Sequence, residues 1–459
     1  MSRRIIIATV IASVCLAASG TTGLAQANDE AATKARLEQI ANSYTPNHAF
    51  MGTVLVVEGD HVLLDKGYAM ASLEWQVPNT PETKFRLGSL TKQFTATLIL
   101  LLQQDGKLSI SDPISKYLPD SPPAWAKITL ANLLGHTSGI PSFTGFKEFH
   151  TWSMSAHTPD EEIALFRDKP LDFEPGSKFD YSNSNFIVLG VVVEKVSGKK
   201  YVDLLRERIF DPLGMKDTGL DSDELVLPKR AVGYMPGPHG VEVARSESMS
   251  IPWSAGAIYS TTGDLLKWEH GLFGGKVLSA DSLKLMTTPG KGDYGLGVFI
   301  ANRDGVRVVS HGGGIEGFNT NLMYAPEKQI AVVVLSNVNG GAPDSMGNQL
   351  MDTVLGKPVV LATERKAVPI TKEELAKFAG VYDLAPTFSL TIAVSGDHLT
   401  GQGTGQPSTN LMYQGVKDGH PTFFVAQVGA DIEFVPDASG AITSLILHQG
   451  GQNIPAKKH

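Results

Sequence analysis

The chain has 459 residues, 42% of them apolar and 19% charged, enough for one large core and a second domain and too apolar for a disordered chain. With a formal net charge of −8 it is a poor partner for nucleic acid. Its one cysteine, Cys15, lies in the N-terminal segment, so once that segment is removed disulfides, thiolate catalysis and cysteine-bound zinc are excluded.

The N-terminus runs Met1-Ser2-Arg3-Arg4, then apolar residues from Ile5 to Leu16, then small residues ending Ala25-Gln26-Ala27. That order of charged, apolar and cleavable stretches predicts a signal peptide, 1–27, cut after Ala27. The apolar run is well short of the ~20 residues that span a bilayer. Val14 stands before Cys15, where a lipoprotein cysteine wants a small residue. Cleavage removes Arg3 and Arg4 and no acid, which leaves 432 residues with a formal charge of −10. A secreted or periplasmic protein without a stable membrane span is expected.

After a helical lead from Glu30 to Tyr44, the β-branched run Gly52 to Val57, the Glu58-Gly59-Asp60 turn and His61 to Lys66 predict a hairpin. Ser89 to Gln104 reads as a long apolar helix closed by Asp105-Gly106, and Phe186 to Val196 as another ended by Ser197-Gly198. Helical stretches follow at Tyr201 to Phe210 and Gly263 to Leu272. Strands return at Tyr294 to Ile300, Val306 to Ser310, Asn319 to Tyr324 and Ile330 to Ser336, so one sheet draws strands from both ends of the region with helices between. The composition shifts at Gly356-Lys357-Pro358 and at Val368-Pro369, which predicts a domain over 28–356, a linker over 357–368 and a second domain over 369–459. The last begins with a short helix, Glu373 to Ala379. Short β runs at Ser389 to Val394, Leu411 to Tyr413, Thr422 to Val425, Ile432 to Val435 and Ile442 to Leu447 then predict a small barrel or sandwich.

Three short motifs bear chemistry. In Ser89-Leu90-Thr91-Lys92, at a helix start, a spacing of three puts hydroxyl and amine on one helical face. There, an amine in apolar surroundings loses its proton and draws off that of the hydroxyl. The helix N-terminus also offers backbone donors to an oxyanion. Tyr181-Ser182-Asn183 precedes an apolar helix and supplies a phenol and an amide. His311-Gly312-Gly313-Gly314 follows a strand, and its glycines allow close approach to the backbone. Taken singly, the first two also fit helix caps and the third a hairpin turn.

Together and in this order, the three resemble the motifs of the serine β-lactamase and penicillin-binding protein family. Leu133 to Ile140 (Leu-Leu-Gly-His-Thr-Ser-Gly-Ile), Phe173-Glu174-Pro175-Gly176, Asp211 to Met215 and Ser254 to Ser260 are also similar to that family's, over roughly Glu38 to Leu355. The resemblance implies an α/β fold, with an antiparallel sheet flanked by helices beside an all-helical lobe and the site between them. It implies that Ser89 is acylated, that Lys92 accepts its proton and that Tyr181 shuttles protons and activates the deacylating water. Asn183 would orient substrate and Lys92, and the amides of Ser89 and Gly314, beside Gly313, would form the oxyanion hole. The tail from Thr371 resembles the lipocalin-like β-barrel appended to many members.

One departure matters. Where β-lactamases and transpeptidases carry Lys-Thr-Gly or Lys-Ser-Gly, this chain has His311-Gly312-Gly313, as in the family's esterase-like and D-amino-acid peptidase-like members. His311 would still donate a hydrogen bond, with a charge that depends on pH near neutrality. Ester or small amide hydrolysis is therefore expected over efficient β-lactam turnover, on a small-molecule or short-peptide substrate. The alternative is a penicillin-recognising binding protein with slow or no turnover, against which the intact Tyr181 and Lys92 speak. No metal-ligand spacing occurs, and no cofactor is expected. His136 is expected as scaffold, Trp253, Tyr259 and Tyr294 as core, and Phe318 as a possible pocket wall.

Overall fold

The computed structural model describes residues 15–459 apart from 238–239, 386–387, 407, 426–429 and 450–451, with side chains from Asp29 onward except that of Gln452. Residues 1–14 of the expected signal peptide lie outside the described residues; 15–27 belong to a helix, α1, Cys15–Ser43. No described helix is long and apolar enough to cross a membrane.

The elements that position the site follow in chain order: β1 (Gly52–Glu58), β2 (His61–Tyr68), α2 (Thr91–Gln104), α3 (Asn183–Ser197) and α4 (Thr262–Phe273). Then come β3 (Phe299–Arg303), β4 (Val306–Ile315), β5 (Phe318–Ala325), β6 (Ile330–Ser336) and α5 (Ala342–Val354). The six strands form one antiparallel sheet in the order β3-β4-β5-β6-β1-β2. Strand residues alternate faces, and both faces here are covered, so β1 and β6 read as unbroken apolar runs. Val54, Val56, Val332 and Val334 pack on one side with Leu37 and Ile40 of α1 and Met346 and Leu350 of α5. Leu55, Val57, Val333 and Leu335 point the other way into the large core that holds α2 and α3, where Phe94, Leu98, Phe186 and Val192 are fully buried.

Two expected elements differ. The strand expected from Tyr294 starts only at Phe299. Gly292 and Gly297 sit at φ +67° and +79°, and a Cβ on Gly297 would stand 2.9 Å from the Lys92 carbonyl oxygen, so this stretch turns close against α2 instead of extending. The helix expected over Tyr201 to Phe210 changes to a π-turn at Arg206–Phe210.

Within 357–368, Leu361 is buried in the core beneath α1 and α5, and Arg36 grips Glu364, with one N–H···O contact at 2.6 Å. Beyond it, eight strands form a closed barrel: β7 (Gly380–Ala385), β8 (Phe388–Ser395), β9 (His398–Gly403), β10 (Thr409–Lys417), β11 (His420–Val425), β12 (Ala430–Pro436), β13 (Ile442–Gln449) and β14 (Gln452–Lys458). Each pairs with the next, and β7 closes on β14 with Tyr382 opposite Lys458. Tyr382, Phe423, Phe434 and Leu445 fill it, and Leu375 and Phe378 join that core from the short helical lead.

Candidate active site

Ser89 lies on the 3₁₀ turn Gly88–Leu90 that runs directly into α2. The turn is possible because Gly88 takes φ +56°, and a Cβ there would stand 2.8 Å from the Gly314 nitrogen. At Gly313 the contact is closer still: a Cβ would meet the Leu87 carbonyl oxygen at 1.9 Å, the same oxygen that accepts from Thr320 Oγ1 at 2.8 Å. These glycines let β4 press its backbone against the nucleophile turn. β4 outruns β3, whose pairing reaches only Ser310, so His311 to Ile315 form a sheet edge beside Ser89.

One helical turn on, Lys92 is fully buried and its side-chain nitrogen touches three oxygens: Ser89 Oγ at 3.0 Å, Asn183 Oδ1 at 2.8 Å and the Ala255 carbonyl at 2.9 Å. None is an anion. The Tyr181 and Phe186 rings lie 5.0 and 5.4 Å from the nitrogen, and burial pushes its pKa well below the usual lysine range. Asn183 Oδ1 and Ala255 O can only accept, so a neutral amine spends both N–H groups on them and aims its lone pair at the Ser89 hydroxyl. That is the geometry of a general base.

Asn183 is itself held. Its side-chain nitrogen donates to Thr144 Oγ1 at 3.1 Å and its backbone N–H to Ser142 Oγ at 3.1 Å. The neighbouring Ser182 N–H donates to His136 Nδ1 at 3.1 Å. The His136 ring lies against Tyr181, 4.1 Å between centroids and tilted by 33°. His136 is therefore more than a helix end: it sets the height and tilt of the phenol. Burial, then Lys92 and His311, hold its pKa well below the usual histidine range, so it stays neutral.

The Tyr181 hydroxyl is buried without a hydrogen-bond partner, although Ser89 is near enough to pull its acidity against the effect of burial. Burial wins, the pKa goes up, and the resting side chain is a phenol. A phenol can pass a proton on; it is not a standing phenolate base.

His311 differs most from expectation. It is 3% exposed and both its nitrogens are committed inward. The Gly312 carbonyl lies 2.5 Å from Nδ1, which must therefore carry the proton, and Nε2 accepts from the Tyr294 hydroxyl at 3.0 Å. Burial, with Lys92 adding to it, lowers its pKa to about 3. The ring is a neutral strut: no free donor faces substrate, and its charge does not change near neutrality. Phe318 also departs from expectation. It is buried against Phe85 and is not part of the wall of the cavity at Ser89, which its neighbours Ile315 and Glu316 line.

Ser89, Asn183 and Gly314 open onto a cavity of about 460 Å³. Its walls are mostly apolar, from Phe143, Phe149, Ile251 and Ile315, with Glu247 and Glu316 as the only ionisable side chains among the described residues that line it. Among the described residues no group of three or more His, Cys, Asp and Glu is placed to hold a metal ion.

This arrangement has known counterparts. Residues 22–355 match the family model described as Beta-lactamase. The chain belongs to that family. Residues 364–458, the barrel, match a domain of unknown function, DUF3471. A putative penicillin-binding protein, PbpX of Bacillus subtilis, is 34% identical over 308 residues, 67% of this chain and 75% of its own length. The octameric penicillin-binding protein homologue of Pyrococcus abyssi superposes with a TM-score of 0.68 at 26% identity, covering 92% of this chain and 99% of its own. The D-amino acid amidase of Ochrobactrum anthropi, solved with L-phenylalanine amide, superposes at 0.62 with 27% identity, covering 71% and 97%. With these relatives the site is that of a serine hydrolase fold.

Proposed function

We propose that the protein hydrolyses esters or small amides, including those of D-amino acids and short peptides, through an acyl-enzyme on Ser89. The observation that carries this reading is the Lys92 amine at 3.0 Å from Ser89 Oγ with no anion to keep it charged. Ser89 Oγ attacks the substrate carbonyl while its proton passes to Lys92 Nζ. The amides of Ser89 and Gly314 take the oxyanion, a contribution of ~3 to 4 kcal/mol per donor. As the tetrahedral intermediate collapses, the leaving alcohol or amine takes back that proton, relayed through Tyr181. Water then attacks the acyl ester, losing its proton along the same route, and Ser89 is regenerated.

The D-amino acid amidase among the neighbours supports an amide or ester substrate. The neutral, doubly committed His311 speaks against a subsite for the carboxylate of a penicillin. The predicted signal peptide makes the place of action outside the cytoplasm. Intact-mass spectrometry after exposure to a fluorophosphonate and, separately, to a penicillin tests the reading, with Ser89→Ala as control. A single adduct with the fluorophosphonate, absent from the control and weak or absent with penicillin, is expected; no adduct with either reagent overturns it.

A further inference from the structure

The cavity that holds Ser89 has a marked imbalance of charge. Glu247 and Glu316 line it, and among the described residues neither has a basic partner within ion-pair distance. The nearby guanidiniums are already engaged: Arg86 and Arg230 each contact Asp221 at 2.8 Å. Behind Glu247, the carboxyl of Glu162 is 1% exposed with one oxygen lacking any hydrogen-bond partner, and burial, then the charge of Glu247, push its pKa up and keep it a neutral acid, so it brings no charge to the cavity. Phe143, Phe149 and Ile251 complete the same wall. Beside the cavity, at the nucleophile, the Tyr181 hydroxyl is buried without a hydrogen-bond partner.

We infer that Glu247 and Glu316 form a subsite for a protonated amine carried by the acyl part of the substrate, with the apolar wall taking the adjoining side chain. The substrate class is thereby narrowed to esters and amides of amino acids with apolar side chains, or short peptides with a free amino terminus. An acyl group bearing a carboxylate meets only repulsion there. The inference rests on the proposed hydrolytic reading and adds its specificity. It agrees with the state of Glu247, whose pKa burial and then Glu316 raise to about 7, against the pull of Arg86 and the Glu316 amide. Two carboxylates so placed lack a counter-charge, and an entering ammonium supplies it.

The test compares phenylalanine p-nitrophenyl ester, in the D and L forms, with the 3-phenylpropanoate ester that lacks only the amine. In the wild type the ratio of kcat/KM should favour the better amino ester by roughly tenfold or more, as for a partly buried charge pair. In Glu247→Gln/Glu316→Gln the ratio should fall to near one; taking it within each protein cancels any general loss from the substitutions. A second measurement needs no variant: phenethylamine should slow fluorophosphonate labelling of Ser89 at lower concentration than 2-phenylethanol. A wild-type ratio near one, a ratio that survives in the double variant, or equal protection by amine and alcohol overturns the subsite. If neither ester is cleaved and Ser89 is not labelled, the catalytic reading falls, and the subsite with it.

Discussion

The Tyr294 hydroxyl donates to His311 Nε2 across 3.0 Å, while Nδ1 of the same ring is turned to its neighbour's carbonyl at Gly312. The histidine therefore supports β4 from within and leaves the chemistry to Ser89, Lys92 and Tyr181.

A consequence for stability follows. A histidine titrates near 6.5 when unfolded, and His311 is lowered to about 3 in the fold. Between those values the unfolded chain binds a proton that the folded chain refuses, so the contribution of His311 to stability is present above about 6.5 and lost as pH falls toward 3. His311→Gln removes this titration. Urea midpoints measured across that window should fall less steeply in the variant than in the wild type; equal slopes would mean that the buried ring takes up its proton freely.

Lys92→Arg keeps the charge and cannot lose it. Labelling of Ser89 by a fluorophosphonate should slow by about a thousandfold or more, since the groups that activate the nucleophile act as a unit. Rates near wild type would show that the amine does not serve as the base.

Tyr181→Phe separates fold from function. The ring keeps its tilted contact with His136, and the lost hydroxyl had no partner to leave unpaired, so the melting temperature should hold or rise. Steady-state turnover should drop between about a hundredfold and ten-thousandfold, the range for a lost proton carrier. Accumulation of acyl-enzyme by mass spectrometry will show which half of the cycle suffers.

Gly313→Ala and Gly312→Ala form a matched pair on adjacent residues. The first sets a methyl 1.9 Å from the Leu87 carbonyl, so β4 must part from the nucleophile turn; we expect a loss of about 3 kcal/mol and most activity. The second meets nothing closer than 3.3 Å, at Asp344 Oδ1, and should be much milder. Thermal melts and ester hydrolysis, run side by side, decide whether that close approach matters.

What could be read from the residues alone depended on distance along the chain. Ser89 and Lys92 are one helical turn apart, so their meeting is dictated by helix geometry. The sheet was legible because β-branched runs such as Ile330 to Ser336 have no other home, and the barrel because its strands recur between turn residues. The third partner of Lys92 was not, because a carbonyl such as that of Ala255 leaves no mark in a sequence. Ser142 and Thr144 were missed for a related reason: ordinary hydroxyl residues become anchors only once the fold brings Asn183 to them. His311 beside three glycines reads as a substrate-facing donor whose charge depends on pH near neutrality, and only the packing of Tyr294 and Phe299 around it explains its burial. Glu247 and Glu316 sit in no motif, and their convergence on the cavity is a product of tertiary structure alone.

The closure of the barrel through its first and last strands has a practical side. Every strand there has two neighbours, so no backbone edge is left for another chain to join. The seam between β7 and β14 depends on Gln452–Lys458. Proteolytic trimming of that short segment would turn one sealed ring into an open sheet with two free rims at once, one on β7 and one on β13. A sample clipped there should self-associate, although Ser89 and its surroundings lie in another part of the molecule.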